Sequence, residues 1–224
     1  MIRIGHRGAM GYEPENTLRS FKKALALKVD MIEFDVYVCK TGEVVVIHDD
    51  KVDRTTNGKG YVVQKTLQEL TSLDAGKGEK IPLLEEALDC INKKVQVNIE
   101  LKGEGTAEPV YKIIQKYIKS GWSREHFLIS SFNHPELKKF SILDPKIRIG
   151  ALLTGIPLNY AEFAEKMKAY SINLSQEFIN KAFVDDAHKR KLKVFVYTVN
   201  DLDDIERMKQ LDVDGLFSNY PDRI

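Results

Sequence analysis

A chain of 224 residues with Lys+Arg 34 against Asp+Glu 33 carries a formal charge of +1, which removes any bulk electrostatic case for nucleic acid or an anionic membrane surface. Its two cysteines, Cys39 and Cys90, lack metal-type spacing, so no disulfide framework is expected and a reducing compartment fits. No apolar run approaches the ~20 residues of a membrane span, and the amino terminus enters a strand at once, so a soluble, cytoplasmic protein is expected.

Short apolar runs alternate with amphipathic segments from end to end, the pattern of βα units around a parallel sheet. Strands are predicted at 2–7, 31–38, 95–102, 127–132, 147–153, 171–175, 193–199 and 215–218. Helices are predicted between them at 17–27, 83–92, 107–120, 135–143, 160–169, 180–190 and 202–211, and no eighth helix closes the series. Eight strands with helices in the gaps predict an α/β fold, a (β/α)8 TIM-type barrel over residues 1–224, ahead of an open doubly wound sheet. Residues 50–80, rich in Gly, Thr and Lys, are too long for an ordinary connection. They read as an insertion after the second strand that covers the barrel mouth.

The stretch 31–50, MIEFDVYVCKTGEVVVIHDD, concentrates the chemistry. Alternation puts Ile32, Phe34 and Val36 on one face of the second strand and Glu33, Asp35 and Tyr37 on the other. The short turn after Val38 allows only an antiparallel return. With Thr41-Gly42 as a two-residue loop, Lys40 faces Glu43, Asp35 faces His48 and Glu33 faces Asp50. Two carboxylates a dipeptide apart on a buried face repel each other and lose hydration, and a bound cation is the simplest remedy. Without burial the same residues would be a solvated strand edge.

In a barrel the carboxyl ends of the strands carry the chemistry, and polar residues gather there. The first strand ends in His6-Arg7-Gly8, and the third, VQVNIELK, aims Gln96, Asn98, Glu100 and Lys102 at the lumen. Glu33, Asp35 and Glu100 form an all-oxygen set that suits Mg²⁺ or Ca²⁺ better than zinc. Arg7 and Lys102 would hold a phosphate, and His6 and His48 would serve as paired acid and base, in an order the residues leave open. This equipment fits a phosphodiester. Pro14-Glu15-Asn16-Thr17 is a strand-to-helix junction able to steady a phosphate or hold His6, so Glu15 and Asn16 join Phe132 and Tyr197 as candidate substrate contacts. Each has a duller reading, as a structural histidine, a plain ion pair or a helix cap. His126, His134 and His188 read as surface residues.

These residues resemble the glycerophosphodiester phosphodiesterase family across nearly the whole chain. The matching motifs run in family order: HRG at 6–8, PENT at 14–17, IEFDV at 32–36, VVVIHD at 44–49 and DRTTNGKG at 53–60. IPLLEEAL at 81–88, NIELK at 98–102, SSF at 130–132 and TVN at 198–200 follow. The resemblance implies a TIM-type barrel and a divalent cation held by Glu33, Asp35 and Glu100. It further implies acid/base work by His6 and His48, contacts from Arg7 and Lys102, and cleavage of glycerophosphodiesters to glycerol 3-phosphate and an alcohol. Direct attack by water and attack through a cyclic phosphate both remain open, as does a homodimer. A lysophospholipase D or phosphoinositide-type phospholipase on the same barrel is the alternative enzyme, and an inactive binding module the alternative class. Two departures stand out. Tyr197 replaces the family's usual Trp before TVN, and Ser218-Asn219-Tyr220-Pro221 replaces T-D-x-P. Neither position belongs to the metal or histidine set, so changes at the pocket wall are expected.

Overall fold

The computed structural model describes all 224 residues. In chain order the elements are β1 Ile2–Gly5, α1 Leu18–Ala26, β2 Met31–Val38, β3 Val44–Val46, α2 Leu67–Ser72, α3 Leu84–Ile91, β4 Gln96–Leu101 and α4 Ala107–Lys119. Then follow β5 Phe127–Ser131, α5 His134–Leu143, β6 Arg148–Leu153, α6 Glu162–Lys166, β7 Ser171–Ser175, α7 Lys181–Lys189, β8 Lys193–Tyr197, α8 Leu202–Gln210 and β9 Gly215–Ser218. Eight parallel strands run in the order β1-β9-β8-β7-β6-β5-β4-β2, and β1 pairs back onto β2, so the sheet closes into a TIM-type barrel rather than staying open. A 3-10 turn at Pro221–Arg223 takes the place of a last helix.

Alternation along the strands separates two cores. Ile32, Phe34, Val36, Val97, Ile99 and Leu101 face outward and are buried under the helices. Inside the barrel, Ile4, Met31, Leu128, Phe195 and Phe217 form an apolar plug. Toward the carboxyl ends of the strands the lumen turns polar, with Glu33, Asn98, Ser130 and Asn173 all buried. The plug confines the chemistry to one end.

β1 is short and pairs with β2 only at Met31 and Ile32. The upper part of that edge of β2 is taken by β3, with Val36 opposite Val46 and Val38 opposite Val44. This register differs by one residue from the expected one. The loop has three residues, Lys40-Thr41-Gly42; Cys39 N donates to Glu43 O at 2.9 Å, and Gly42 takes the left-handed φ of +100° that such a loop requires. Asp35 therefore faces Ile47, whose N–H donates to the Asp35 carbonyl at 3.0 Å, and not His48.

Residues 50–80 hold more order than their composition suggests. Thr66 and Glu69 form a reciprocal capping box that starts α2. Val52, Val62, Leu70, Ala75 and Ile81 pack with Cys39, Val45 and Ile47 into a small apolar core on the hairpin face that carries Tyr37, opposite the face of Val44 and Val46. The helix expected over 160–169 shrinks to five residues, since Tyr160 and Lys168 both sit at positive φ and bound it. His126, His134 and His188 are half-buried rather than surface residues, each engaged with Ser123 N, the Leu152 carbonyl or Asp214.

Candidate active site

Register across the β2–β4 ladder sets Glu33 opposite Asn98 and Asp35 opposite Glu100. Like charges directly opposite one another destabilise a sheet, yet these three carboxylates are 3%, 1% and 8% exposed in the order Glu33, Asp35, Glu100. One oxygen of each lies within 4.8 Å of the others. Burial, reinforced by the neighbouring carboxylates, raises both Glu33 and Glu100 above the usual carboxylate range. The Glu33 oxygen Oε1 is buried with no hydrogen-bond partner. An orphaned carboxylate oxygen inside an all-oxygen cluster fits a hard cation, which would supply the missing contact and the missing charge.

The loop after β1 fills the seam beside β2. Arg7 adopts a left-handed backbone, φ 49°, which a non-glycine residue holds only under constraint, and the constraint is visible. Its N–H donates to Glu33 Oε2 at 2.9 Å, and Gly8 N donates to the Glu33 carbonyl at 3.2 Å. A Cβ on Gly8 would meet Ser20 at 2.3 Å, so the turn requires glycine at this point. The Arg7 guanidinium donates to Glu15 at 2.7 Å and sits 3.4 Å from Asp35. Burial opposes the charge of Arg7, but Asp35, Glu15 and Glu33 outweigh it. Lys102 donates to Glu100 at 2.8 Å and lies 3.9 Å from Asp35.

His48 arrives past the end of β3, free of the ladder, which is why the shifted register does not remove it. Lys102 Nζ is 3.2 Å from its Nε2, and Asp49 Oδ1 is 2.6 Å from its Nδ1. An ammonium can only donate and a carboxylate can only accept, so the neutral ring carries its proton on Nδ1 and leaves Nε2 bare. Burial lowers its pKa, with Arg7 and Lys102 adding to the effect and Asp35 and Asp49 opposing it. His6 pairs through Nδ1 with the Asn219 amide oxygen at 2.7 Å. Burial pushes His6 down to about 4, helped by Arg7, while Asn219 and Asp35 oppose.

These groups open on a cavity of about 190 Å³. One wall is His6, Arg7, Glu33, His48, Glu100 and Lys102; the other is Phe132, Leu152, Tyr197, Thr198 and Phe217, with Asn98 and Ser130 between. Phe132 and Tyr197 meet edge to face, centroids 5.8 Å apart, and the Tyr197 hydroxyl donates to the Leu153 carbonyl at 2.9 Å. Burial pushes that hydroxyl up to about 12.

Two expected substrate contacts lie elsewhere. Glu15 and Asn16 do not line the cavity. Glu15 lies between Arg7 and Arg54, and Asn16 donates from Nδ2 to Asp35 Oδ2 at 2.9 Å, which holds that acid in place. The departure at Asn219 also reaches further than the pocket wall, because this residue is the partner of His6. Sequence reasoning missed that role, along with those of Asp49 and Arg54. A contact spanning 213 positions leaves no local trace, whereas the HD pair at 48–49 was in plain view.

An acid nest flanked by two imidazoles, an arginine and a lysine, at the carboxyl end of a barrel, defines an enzyme that acts on an anionic ester. The profile of the glycerophosphoryl diester phosphodiesterase family matches residues 6–223, and this chain belongs to that family. A glycerophosphodiester phosphodiesterase of Caldanaerobacter subterraneus subsp. tengcongensis is 38% identical over 234 residues, covering 99% of this chain and 95% of its own. One from Bacillus subtilis is 33% identical over 251 residues, covering 99% and 84%. A phosphodiesterase of Oleispira antarctica, solved in complex with its product sn-glycerol-3-phosphate, superposes with a TM-score of 0.92 at 33% identity over 99% of this chain and 94% of that one.

Proposed function

We propose that this chain hydrolyses glycerophosphodiesters to sn-glycerol 3-phosphate and an alcohol, with a divalent cation held by Glu33, Asp35 and Glu100. The observation that carries the reading is the buried, mutually repelling acid set with its orphaned Glu33 oxygen, placed beside two imidazoles in one cavity. When bound, Mg²⁺ or Ca²⁺ would neutralise the acids and withdraw charge from the phosphoryl oxygens. Arg7 and Lys102 take the remaining phosphate charge. Phe132 and Tyr197 receive the carbon-bearing part of the substrate. A cavity of about 190 Å³ suits a small-molecule diester.

The two histidines differ in what stands behind them. A carboxylate, Asp49, favours an imidazolium at His48 against the burial, Arg7 and Lys102 that lower its pKa, whereas a neutral amide backs His6, which burial pushes down to about 4. His6 Nε2 takes the proton from the attacking oxygen, and protonated His48 gives one to the leaving alcohol. Residues 50–80 serve this single catalytic domain as an inserted segment. No helix is long and apolar enough to cross a membrane; the charge of +1 offers nucleic acid no bulk attraction, and two free cysteines fit the reducing cytoplasm as the proposed setting.

The test follows release of sn-glycerol 3-phosphate from glycerophosphocholine, glycerophosphoethanolamine and glycerophosphoglycerol, in EDTA and after adding back Mg²⁺ or Ca²⁺. Turnover that one of the ions restores is expected. Equal turnover in EDTA would remove the metal, and no turnover with either ion would remove the reaction. A nitrophenyl ester of glycerol phosphate, whose leaving group needs no proton, should rescue His48→Ala and not His6→Ala; the reverse pattern exchanges the two roles.

A further inference from the structure

The inserted stretch 50–80 shares a small apolar core with the hairpin, yet it also sends one charged side chain to the site. Arg54 Nε donates to Asp49 Oδ2 at 2.6 Å and Nη2 donates to Asp49 Oδ1 at 2.9 Å. Its other edge donates to Glu15, from Nη1 to Oε2 at 2.7 Å and from Nη2 to Oε1 at 2.8 Å. Asp49 holds His48, and Glu15 holds Arg7. The side chains therefore run Arg7, Glu15, Arg54, Asp49, His48, with the charges of the first four alternating in sign.

We infer that Arg54 is a positioning residue, whose planar fork ties the carboxylate behind His48 to the carboxylate behind Arg7 and so fixes the proton-carrying ring relative to the phosphate-holding guanidinium. Two facts separate this from a fold-stabilising ion pair. The Arg54 side chain is 49% exposed, where charge pairs contribute little to folding. The insertion is already anchored by Val52, Val62, Leu70 and Ala75 against Val45, Ile47 and Ile81. What exposure does not weaken is direction. Two bidentate contacts from one rigid plane set the angle of both carboxylates, and a lysine at this position would supply charge without that angle. Without Arg54, Glu15 and Asp49 would be left as two unneutralised carboxylates, each free to turn and carry its partner with it.

The kinetic part of this inference rests on the phosphodiesterase reading; the part concerning the imidazole rests on geometry alone. The experiment compares Arg54→Gln and Arg54→Lys with wild type, each loaded with Mg²⁺ or Ca²⁺, for kcat and KM on glycerophosphoethanolamine, for Tm, and for the His48 ring nitrogens by long-range ¹H–¹⁵N NMR. Arg54→Gln is expected to lower kcat by about 100-fold, the scale of a reacting group misplaced by about 1 Å. Tm should stay within about 2 °C, in line with an exposed pair. Arg54→Lys should recover less than a tenth of the lost rate. The double variant Asp49→Asn/Arg54→Gln should lose less than the product of the two single losses, because Arg54 reaches the ring only through Asp49. The His48 spectrum should change from a single tautomer protonated on Nδ1 to an exchanging mixture. Unchanged kcat, full rescue by lysine, multiplying losses in the double variant, or an unaltered His48 spectrum would each overturn the inference. If Arg54→Gln fails to fold, Arg54→Lys carries the same NMR comparison. Wild type inactive on every glycerophosphodiester would refute the reaction and leave the spectroscopic test of Arg54 standing.

Discussion

Replacing Glu33 by glutamine should strengthen the metal-free protein while weakening its hold on the ion. The carboxylate oxygens of Glu33, Asp35 and Glu100 lie within 4.8 Å of one another, and at an effective dielectric of about 20 each ionised pair at that distance costs about 3 kcal/mol. Glu33 takes part in two such pairs. Proton uptake and the nearby cations of Arg7 and Lys102 relieve most of this, leaving a gain of about 1–2 kcal/mol on substitution, or about 2–8 °C in Tm for a chain of this size. The exchange is isosteric: the glutamine oxygen can keep the bond that Glu33 Oε2 accepts from Arg7 N, and its amide nitrogen takes the place of the partnerless Oε1. The sign with pH follows from linkage. Glu33 and Glu100 are raised in the folded state, so their contribution is full below the unfolded carboxylate pKa and is lost as pH rises through the folded values. The Tm of wild type in EDTA should therefore fall between pH 6 and pH 8, the variant should fall less, and their difference should grow with pH. Calorimetric titration should show metal affinity reduced by about 100-fold. A variant less stable than wild type in EDTA at pH 8, or a difference that ignores pH, would refute the account of the acids as a charge-strained nest.

Further outcomes follow from other side chains. His48→Ala should abolish turnover of glycerophosphodiesters yet bind the ion as wild type does in a calorimetric titration; an active variant would remove the acid/base assignment. Asn219→Asp puts a carboxylate against His6 Nδ1, which favours the imidazolium and raises a group now held at about 4, so the acid limb of the kcat/KM profile should move to higher pH. An unmoved limb would show that His6 is not the group titrating there. Phe132→Ala removes half of the edge-to-face pair with Tyr197 and should raise KM several-fold with a smaller change in kcat, about 1 kcal/mol of lost contact. An unchanged KM would take Phe132 out of the substrate wall.

The strands were legible because their apolar residues repeat with a period of two and lie between turn residues, and β2, β7 and β9 have the bounds that pattern predicts. The acid cluster was legible for the same reason, since alternation alone puts Glu33 and Asp35 on one face. The hairpin register was not, because two-residue and three-residue loops differ by one position and only the left-handed Gly42 separates them. Order within 50–80 was hidden by its polar composition, although Thr66 and Glu69 carry a capping signature. Partnerships between distant residues were invisible on principle. Asn16 with Asp35, Asn219 with His6 and Arg54 with Glu15 arise from barrel closure and loop placement, which no local pattern encodes.

The apolar plug of Ile4, Met31, Leu128, Phe195 and Phe217 gives the barrel a blind end. Substrate and both products must share one doorway. The acids are at most 8% exposed while Phe132 at the rim is 45% exposed, so in the proposed pose the fragment seated on the acids leaves after the fragment seated on the aromatics. That pose orders departure, alcohol before phosphate ester, and makes the phosphate-bearing product compete with the next substrate for the same floor.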